Sequence, residues 1–258
     1  MQKMSRTDQD IQGRHLSHSQ LSMWLRCPKQ YEFRYIHNMR MPPAGALIQG
    51  SCYHKALEVN FSYKIDHAED RPLDEVLDAY ADEWEHLTED GDNDAGIDWE
   101  DKEPGVLKDE GIGLVKVYHA LIAPDVQPLK VETFYQKMLD GVNFVGYIDL
   151  ETELVDVIDH KTAGRSYNQD DVDRDIQISA YAWLLGREIK AANHVAVKTK
   201  QPKIQIVETV RTKTDIRWWR DMALEVKRAI DKGVFPPSPT GWHCGPKWCG
   251  YWNLCRGE

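Results

Sequence analysis

The sequence predicts an α/β fold, with a helical N-terminal region before an α/β core and a Cys-rich tail after it. Apolar residues recur at helical spacing over 72–89 and again over 107–122. From Leu129 the pattern changes to short apolar runs typical of strands. The order is helices, a strand meander, a helix, two strands and a helix, which is not a run of βαβ units.

The N-terminal region is predicted to be helical after a polar start. Its first helix begins near Ser17 or Ser19, since either residue suits the N-cap position, and Pro28 interrupts it. A longer helix is predicted over 47–63, followed by the two helices over 72–89 and 107–122. Residues 90–105 are acidic and rich in glycine, and we expect them to form a mobile surface loop.

The second half of the chain holds the predicted sheet. Strands are expected at 129–139, 143–150, 153–160, 194–199 and 204–210. Helices are expected at 170–188, between the third and fourth strands, and at 213–232, after the last. We therefore divide the chain into a helical region (1–128), a core (129–235) and a Cys-rich tail (236–258), which together make one integrated domain.

The composition limits the function. No apolar run approaches the ~20 residues of a membrane span, and the polar start lacks the apolar segment of a secretory signal, so we expect a cytoplasmic protein without a membrane partner. A net charge of -10 argues against a protein that coats DNA with positive surface. A catalytic cleft needs only a local basic strip. Candidates for that strip are Lys198, Lys200, Lys203, Arg211, Lys213, Arg217 and Arg220.

One stretch is the most informative. Gly146–Lys161 reads as two short strands joined by a polar turn near Glu151–Glu153. Side chains at i and i+2 of a strand share a face, so Asp159 and Lys161 project together, and the hairpin brings Asp149 beside them. Two carboxylates and a lysine suit a divalent cation that holds a phosphate, with an ammonium beside the attacking water. A solvated strand end is the alternative, because D-x-K is a common sequence.

Other residues join this stretch. His54 lies in a predicted helix, and neutral imidazole is a good ligand where carboxylates already hold a cation. Gln177 and Tyr181 share one face of the helix after Lys161, where the amide suits the lysine or a phosphate and the phenol suits a DNA backbone. An ordinary amphipathic helix is the alternative. Glu132, in the first strand, is a candidate supporting carboxylate of the same pocket.

The cysteines form a second pattern. Five cysteines without an export signal make structural disulfides an unattractive explanation. Cys244, Cys249 and Cys255 cluster in the tail, and Cys27 lies near the opposite end of the chain. Four thiolates from the two ends suit zinc or an iron–sulfur cluster, and the spacing alone does not choose between them. Cys52 is predicted to be a small buried residue.

Together these stretches resemble the RecB-family nucleases of the PD-(D/E)xK superfamily, in the branch that carries an iron–sulfur cluster. That branch includes the AddB nuclease domain and the CRISPR-associated adaptation exonucleases. The matching stretches occur in family order and are L-S-H-S-Q-L-S-M-W-L-R-C-P-K-Q-Y, G-S-C-Y-H-K-A-L-E, G-Y-I-D-L, V-I-D-H-K-T, Q-I-S-A-Y and the Cys tail. The resemblance implies a restriction-endonuclease-like core, with a mixed central sheet flanked by helices.

The resemblance also implies a role for each matching residue. His54, Asp149 and Asp159 would be ligands of Mg²⁺ or Mn²⁺, together with the main-chain carbonyl of His160. Lys161 would be the catalytic lysine. Gln177 and Tyr181 match the Q-x3-Y motif of the family.

For the cysteines, the resemblance implies a 4Fe-4S cluster bound by Cys27, Cys244, Cys249 and Cys255. This chain departs from the family pattern in one respect. Four residues separate Cys244 from Cys249, where the family usually has two. Zinc therefore stays open as the alternative metal, and His243 is a possible substitute ligand.

These features predict a metal-dependent DNA nuclease, an exonuclease acting on single-stranded DNA or on free ends. Recombination, repair, phage DNA processing and CRISPR adaptation are all compatible processes. The sequence has no G-x4-G-K-[ST] phosphate loop, so any helicase or recombination activity would come from a partner. The alternatives are a non-catalytic DNA-binding or adaptor protein with a structural four-cysteine metal site, and a zinc-stapled interaction protein in which the D-x-K is accidental.

Overall fold

The computed structural model describes residues 15–89 and 96–257, which form a six-stranded mixed sheet with helices packed against it. The strands are β1 (His15–Ser17), β2 (Pro128–Leu139), β3 (Val142–Thr152), β4 (Val157–Ala163), β5 (Ile189–Val197) and β6 (Lys203–Arg211). The predicted α/β fold with a mixed central sheet is therefore confirmed. Of the predicted loop over 90–105, residues 90–95 lie outside the described part of the chain.

The helices account for most of the first half of the chain. They are α1 (His18–Arg26), α2 (Pro28–Tyr31), α3 (Gly45–His67), α4 (Leu73–Glu89), α5 (Pro104–Leu121), α6 (Gln169–Asp173), α7 (Ile176–Leu185), α8 (Lys213–Asp231) and α9 (Trp252–Arg256). A π-helical turn follows α2 at Glu32–Ile36, and a 3-10 turn follows α5 at Ala123–Asp125. Within the described residues, no helix is both long and apolar enough to cross a membrane.

The sheet opens beside β3. Strand β2 pairs with β3 along the whole length of β3, so β1 and β4 must share its other edge. The short β1 lies parallel to β3 at Asn143–Val145, whereas β4 pairs with β3 at one position only, Leu150 with Ile158. On its other edge, β4 pairs in parallel with β5 over its whole length. Strands β3 and β4 therefore separate, and the separation leaves room for side chains at the level of Asp149.

Aromatic and aliphatic cores lie on the two faces of the sheet. On one face, α3 and α5 bury Tyr53, Phe61 and Tyr118 in a cluster that includes Leu150 and Ile158. Burial of such aromatic rings removes about 150–250 Å² each from water and dominates the energetics of a core. These contacts fix α3 against the sheet beside the opening.

On the other face, α7 and α8 pack on β3 through three aromatic rings. The Phe144 ring meets those of Trp183 and Trp219 edge-on, at centroid distances of 5.7 and 5.0 Å. The sheet opening thus lies between two packed helical layers.

The segment predicted as one helix over 170–188 is two helices. Asp175 interrupts it, because its carboxylate accepts the Gln177 N–H at 2.8 Å and acts as the N-cap of α7. The Arg211 guanidinium donates to the Val172 and Asp175 carbonyls at 2.8 and 3.0 Å, which satisfies the end of α6. Arg211 is only 2% exposed, so its place in the predicted basic strip was wrong.

Candidate active site

The Asp149 side chain lies where β3 and β4 separate. Its Oδ2 accepts the His160 main-chain N–H at 2.8 Å. A buried N–H without an acceptor costs about 1–3 kcal/mol, so this carboxylate replaces the strand pairing lost at the opening. The predicted hairpin does bring Asp149 beside β4, although the turn lies after Thr152 rather than at Glu151–Glu153.

Three potential metal ligands converge at this point. His54, Glu132 and Asp149 each present a ligand atom, and the three atoms lie within 4.8 Å of one another. The His54 Nδ1 is 3.9 Å from Glu132 Oε1 and 3.5 Å from Asp149 Oδ2. Two ligands bound at right angles about 2.1 Å from one ion lie about 3 Å apart, so the spacing is close to that of an octahedral site. One imidazole and two carboxylates also suit a divalent cation by ligand type.

Glu132 reaches this group through an unusual backbone. Its φ is 44°, in the left-handed region, although it lies inside β2. Its neighbours Val131 and Thr133 pair with Leu150 and Ile148, which places Glu132 opposite Asp149. Such a conformation costs about 1–3 kcal/mol in a non-glycine residue and is concentrated at functional sites. The sequence predicts Glu132 only as a supporting carboxylate. The structure places its carboxylate in the converging group with His54 and Asp149.

Burial and charge shift the titration of this group. Burial alone would lower the His54 pKa, but the Asp149 and Glu132 carboxylates outweigh it and raise the pKa to about 9. Burial raises the pKa of Asp149, and His54 opposes that rise. The metal-free site therefore holds a proton that a cation would displace.

Lys161 belongs to a closed ring of polar side chains. Its Nζ lies 2.6 Å from Asp159 Oδ2 and donates to Gln177 Oε1 at 2.7 Å. The Gln177 amide donates to the Tyr181 hydroxyl at 2.6 Å, and that hydroxyl donates to Asp159 Oδ1 at 3.2 Å. The expectation that Asp159 and Lys161 share a face agrees with this arrangement, as does the expectation that Gln177 holds the lysine.

The ring fixes the charge state of Lys161. Burial would lower its pKa, but Asp159 and then Asp175 outweigh the burial and raise it. Burial raises the pKa of Asp159 to about 6, against the effect of Lys161. Lys161 is therefore an ammonium at neutral pH.

A family comparison gives the superfamily of the chain. A family model described as the PD-(D/E)XK nuclease superfamily matches residues 15–256. The chain belongs to the PD-(D/E)XK nuclease superfamily. The Gene 69 protein of Mycobacterium phage D29 is 27% identical over 260 residues, covering 90% of this chain and 92% of that protein.

A solved structure shows the same fold. An Eubacterium rectale protein, provisionally described as an exonuclease, superposes with a TM-score of 0.62 over 98% of this chain and 93% of its own. At 13% identity the likeness concerns the fold alone.

Two buried histidines lie beside the candidate active site. The Tyr118 hydroxyl contacts His160 Nε2 at 3.0 Å and His194 Nδ1 at 2.8 Å, and Phe61 stacks on the His160 ring. Burial lowers the pKa of His160 well below its usual value and that of His194 to about 4. Both rings are therefore neutral near pH 7. Their contacts with Tyr118 join β4 and β5 to α5.

One neighbour of the site went unnoticed in the sequence. His18, the first residue of α1, has a buried Nδ1 without a hydrogen-bond partner among the described residues, and its Nε2 contacts Ser22 Oγ at 3.1 Å. Burial lowers its pKa to about 4, and the charges of Asp175 and Lys161 act on it in opposite directions. No sequence signal identified it, since a histidine near a helix start is common.

The four cysteines predicted as ligands line one cavity. Cys27, Cys244, Cys249 and Cys255 are all free thiols around a space of about 110 Å³. His243 lines the same cavity, whereas Cys52 is fully buried elsewhere, as expected. The structure therefore brings the two ends of the described chain together at the cysteines.

Other contacts hold the tail in place. The Tyr251 hydroxyl donates to the Met39 carbonyl at 2.6 Å, and its ring stacks on Phe33 at a centroid distance of 5.3 Å. The Gln30 amide donates to the Cys249 sulfur at 3.2 Å. The N-terminal helices and the tail thus share the cavity wall.

Proposed function

We propose that this chain is a metal-dependent deoxyribonuclease that hydrolyses phosphodiester bonds as an exonuclease, on single-stranded DNA or on free ends. Membership of the nuclease superfamily supports hydrolysis of a nucleic acid. The observation that carries the proposal is the position of the His54–Glu132–Asp149 group beside the Lys161–Asp159 pair of β4, at the sheet opening. A cation and an ammonium would then meet the same phosphate.

The ligand group would hold Mg²⁺ or Mn²⁺. His54, Glu132 and Asp149 supply the atoms that already converge. Asp159 and the main-chain carbonyl of His160 would complete the set, as the family resemblance implies. When bound, the ion would neutralise phosphate oxygens and lower the pKa of a bound water. The hydrogen bond from the His160 N–H fixes the position of Asp149 for this role.

Lys161 would act as an ammonium. Its raised pKa makes it a poor proton acceptor at neutral pH. Orientation of the attacking water and stabilisation of charge on the phosphorane-like transition state are therefore its proposed roles, ahead of deprotonation. Gln177 and Tyr181 hold both Lys161 and Asp159 in place, because each of them bonds within the same ring.

The Cys cavity would hold a 4Fe-4S cluster that joins the tail to the N-terminal helices. All four cysteines line one cavity, which supports a shared metal centre. The family resemblance favours a 4Fe-4S cluster over a single zinc ion, despite the longer loop between Cys244 and Cys249.

Similarity to a phage protein over most of both chains favours phage DNA processing among the compatible processes, with action in the host cytoplasm. A helicase or recombination partner would then supply any strand separation.

The test is digestion of end-labelled single- and double-stranded DNA with Mn²⁺ or Mg²⁺, alongside a covalently closed circle. We expect labelled ends to be released and the closed circle to persist. Lys161→Ala should abolish cleavage while DNA binding persists. Cleavage at the native rate by this variant would contradict the mechanism, and a wild-type protein that binds DNA without cutting it would indicate the adaptor function instead.

A further inference from the structure

A second charged surface lies on the α7–α8 face of the sheet. An open groove of about 470 Å³ is lined by Lys137, Trp183, Gly186, Arg187, Lys213, Ile216, Arg217 and Arg220. Five of these side chains are cationic and none is acidic, in a chain whose net charge is -10. We call this surface the basic groove.

Helical spacing builds one wall of the basic groove. Lys213, Arg217 and Arg220 stand at i, i+4 and i+7 of α8, so their side chains lie on one face of the helix. All three residues are exposed. The basic strip predicted from the sequence contains these three residues. Lys137 and Arg187 were not part of it, and tertiary packing brings them to α8.

Part of this charge is already compensated within the protein. Arg187 pairs with Asp156 at 2.6 Å, and Arg220 with Asp221 at 2.7 Å. Lys137 donates to the Trp183 carbonyl at 2.7 Å, which suits a cation at the C-terminal end of α7. Across the described ranges, no carboxylate lies within ion-pair distance of the Lys213 or Arg217 side chain. These two cations are therefore available to an external anion.

The basic groove lies at a definite distance from the proposed nuclease site. Lys137 is five residues beyond Glu132 on β2, which is about 17 Å at roughly 3.3 Å per strand residue. Gly186 is nine residues beyond Gln177 along α7 and its cap, which is about 14 Å at roughly 1.5 Å per residue. With one phosphate per ~3.4 Å of duplex axis on each strand, this distance corresponds to at most about four or five phosphates, and to fewer on an extended single strand.

We infer that the basic groove binds the phosphodiester backbone of the DNA strand, a few phosphates away from the bond cleaved at the proposed nuclease site. The inference rests on the proposed function for the identity of the strand. Its chemistry is that of phosphate recognition by lysine and arginine, without base readout. The groove would supply affinity and length dependence, while the metal group and Lys161 supply the reaction.

The test reverses the two uncompensated charges. The double variant Lys213→Glu, Arg217→Glu is compared with Lys116→Glu, a change at an exposed position of α5, a helix of the α3–α5 layer. Position 213 is in the first turn of α8, where a negative side chain suits the helix dipole, and position 217 is exposed in the second turn. The fold should therefore persist, and thermal melting checks this. Binding of a fluorescent single-stranded 30-mer is measured by anisotropy with Ca²⁺, across a range of salt concentrations. Turnover of a trinucleotide is measured with Mn²⁺.

We expect the double variant to bind the 30-mer at least tenfold more weakly, with a salt slope smaller by about 1.4 for two lost contacts. Lys116→Glu should bind as the wild type does. Trinucleotide turnover should be unchanged in both variants, because this substrate is too short to reach the groove. Equal affinities and slopes in wild type and double variant would overturn the inference, as would an equal loss in Lys116→Glu. Binding does not require turnover, so a protein that cut neither substrate would count against the proposed function alone.

Discussion

The His160 main-chain N–H donates to Asp149 Oδ2 at 2.8 Å, across the gap where β4 leaves β3. One carboxylate thereby serves both the sheet and the proposed metal group. The two roles differ in what they need, since the hydrogen bond needs an oxygen acceptor and the cation needs a negative charge.

Asp149→Asn separates these roles. The amide oxygen can still accept the His160 N–H, so we expect a melting temperature close to that of the wild type. Loss of the charge should weaken Mn²⁺ binding by at least tenfold, as measured by calorimetry. Asp149→Ala serves as the comparison, because it also leaves the buried N–H unpaired at a cost of about 1–3 kcal/mol. Equal Mn²⁺ affinity in Asp149→Asn and wild type would remove Asp149 from the ligand group.

Substitutions of Glu132 separate the effect of its backbone strain on stability from the effect of its carboxylate on metal binding. Its φ of 44° suits glycine better than glutamate. Glu132→Gly should therefore weaken Mn²⁺ binding and yet raise the free energy of unfolding by about 1 kcal/mol in metal-free protein. Glu132→Gln keeps the backbone strain and should weaken Mn²⁺ binding without that gain. Denaturant unfolding and calorimetry on both variants measure the two effects, and a less stable Glu132→Gly would show that the conformation is not strained.

Glu132→Gln also tests the electrostatics of the site. The Asp149 and Glu132 carboxylates hold the pKa of His54 at about 9 against burial. Removing one of them should lower that pKa, which NMR titration of the imidazole in metal-free protein measures directly.

Most of the side chains that meet at the candidate site could be grouped from the sequence, because they carry local signals. The i, i+2 spacing placed Asp159 with Lys161, and the i, i+4 spacing placed Gln177 with Tyr181. The position of the Glu132 carboxylate was harder to predict. It depends on the β2–β3 register and on a positive φ, and neither can be read from the residue type. The short strand β1 has three residues and no pattern of its own. The basic groove was predicted only in part, since Lys137 and Arg187 reach α8 through tertiary packing.

The buried His194 predicts how stability depends on pH. Burial holds its pKa at about 4, below the ordinary value of 6.5. Between these values the unfolded state binds a proton that the folded state does not. The contribution of His194 to the free energy of unfolding is therefore fully present above pH 6.5 and is lost as the pH falls towards 4. A single such group accounts for about 3 kcal/mol over that window. His194→Asn keeps a polar atom near Tyr118 and removes the titration, so its unfolding free energy should fall less steeply between pH 6.5 and 4. An unchanged slope would mean that His194 is protonated in the folded state.

The Cys cavity predicts a stability effect that is tied to metal content. Cys27 and Cys249 approach from the two ends of the described chain, so a shared cluster closes a loop of most of its length. Cys249→Ser should lose iron and acid-labile sulfide in anaerobically purified protein and should melt at a lower temperature. Cys52→Ala is the matched control, because Cys52 lies outside the cavity; it should keep its iron, whatever its packing cost. Broad absorption near 400 nm in the wild type, absent in Cys249→Ser, would identify the cluster. Colourless wild-type protein with one bound zinc would instead establish the zinc alternative, and the loss of stability in Cys249→Ser would then follow zinc.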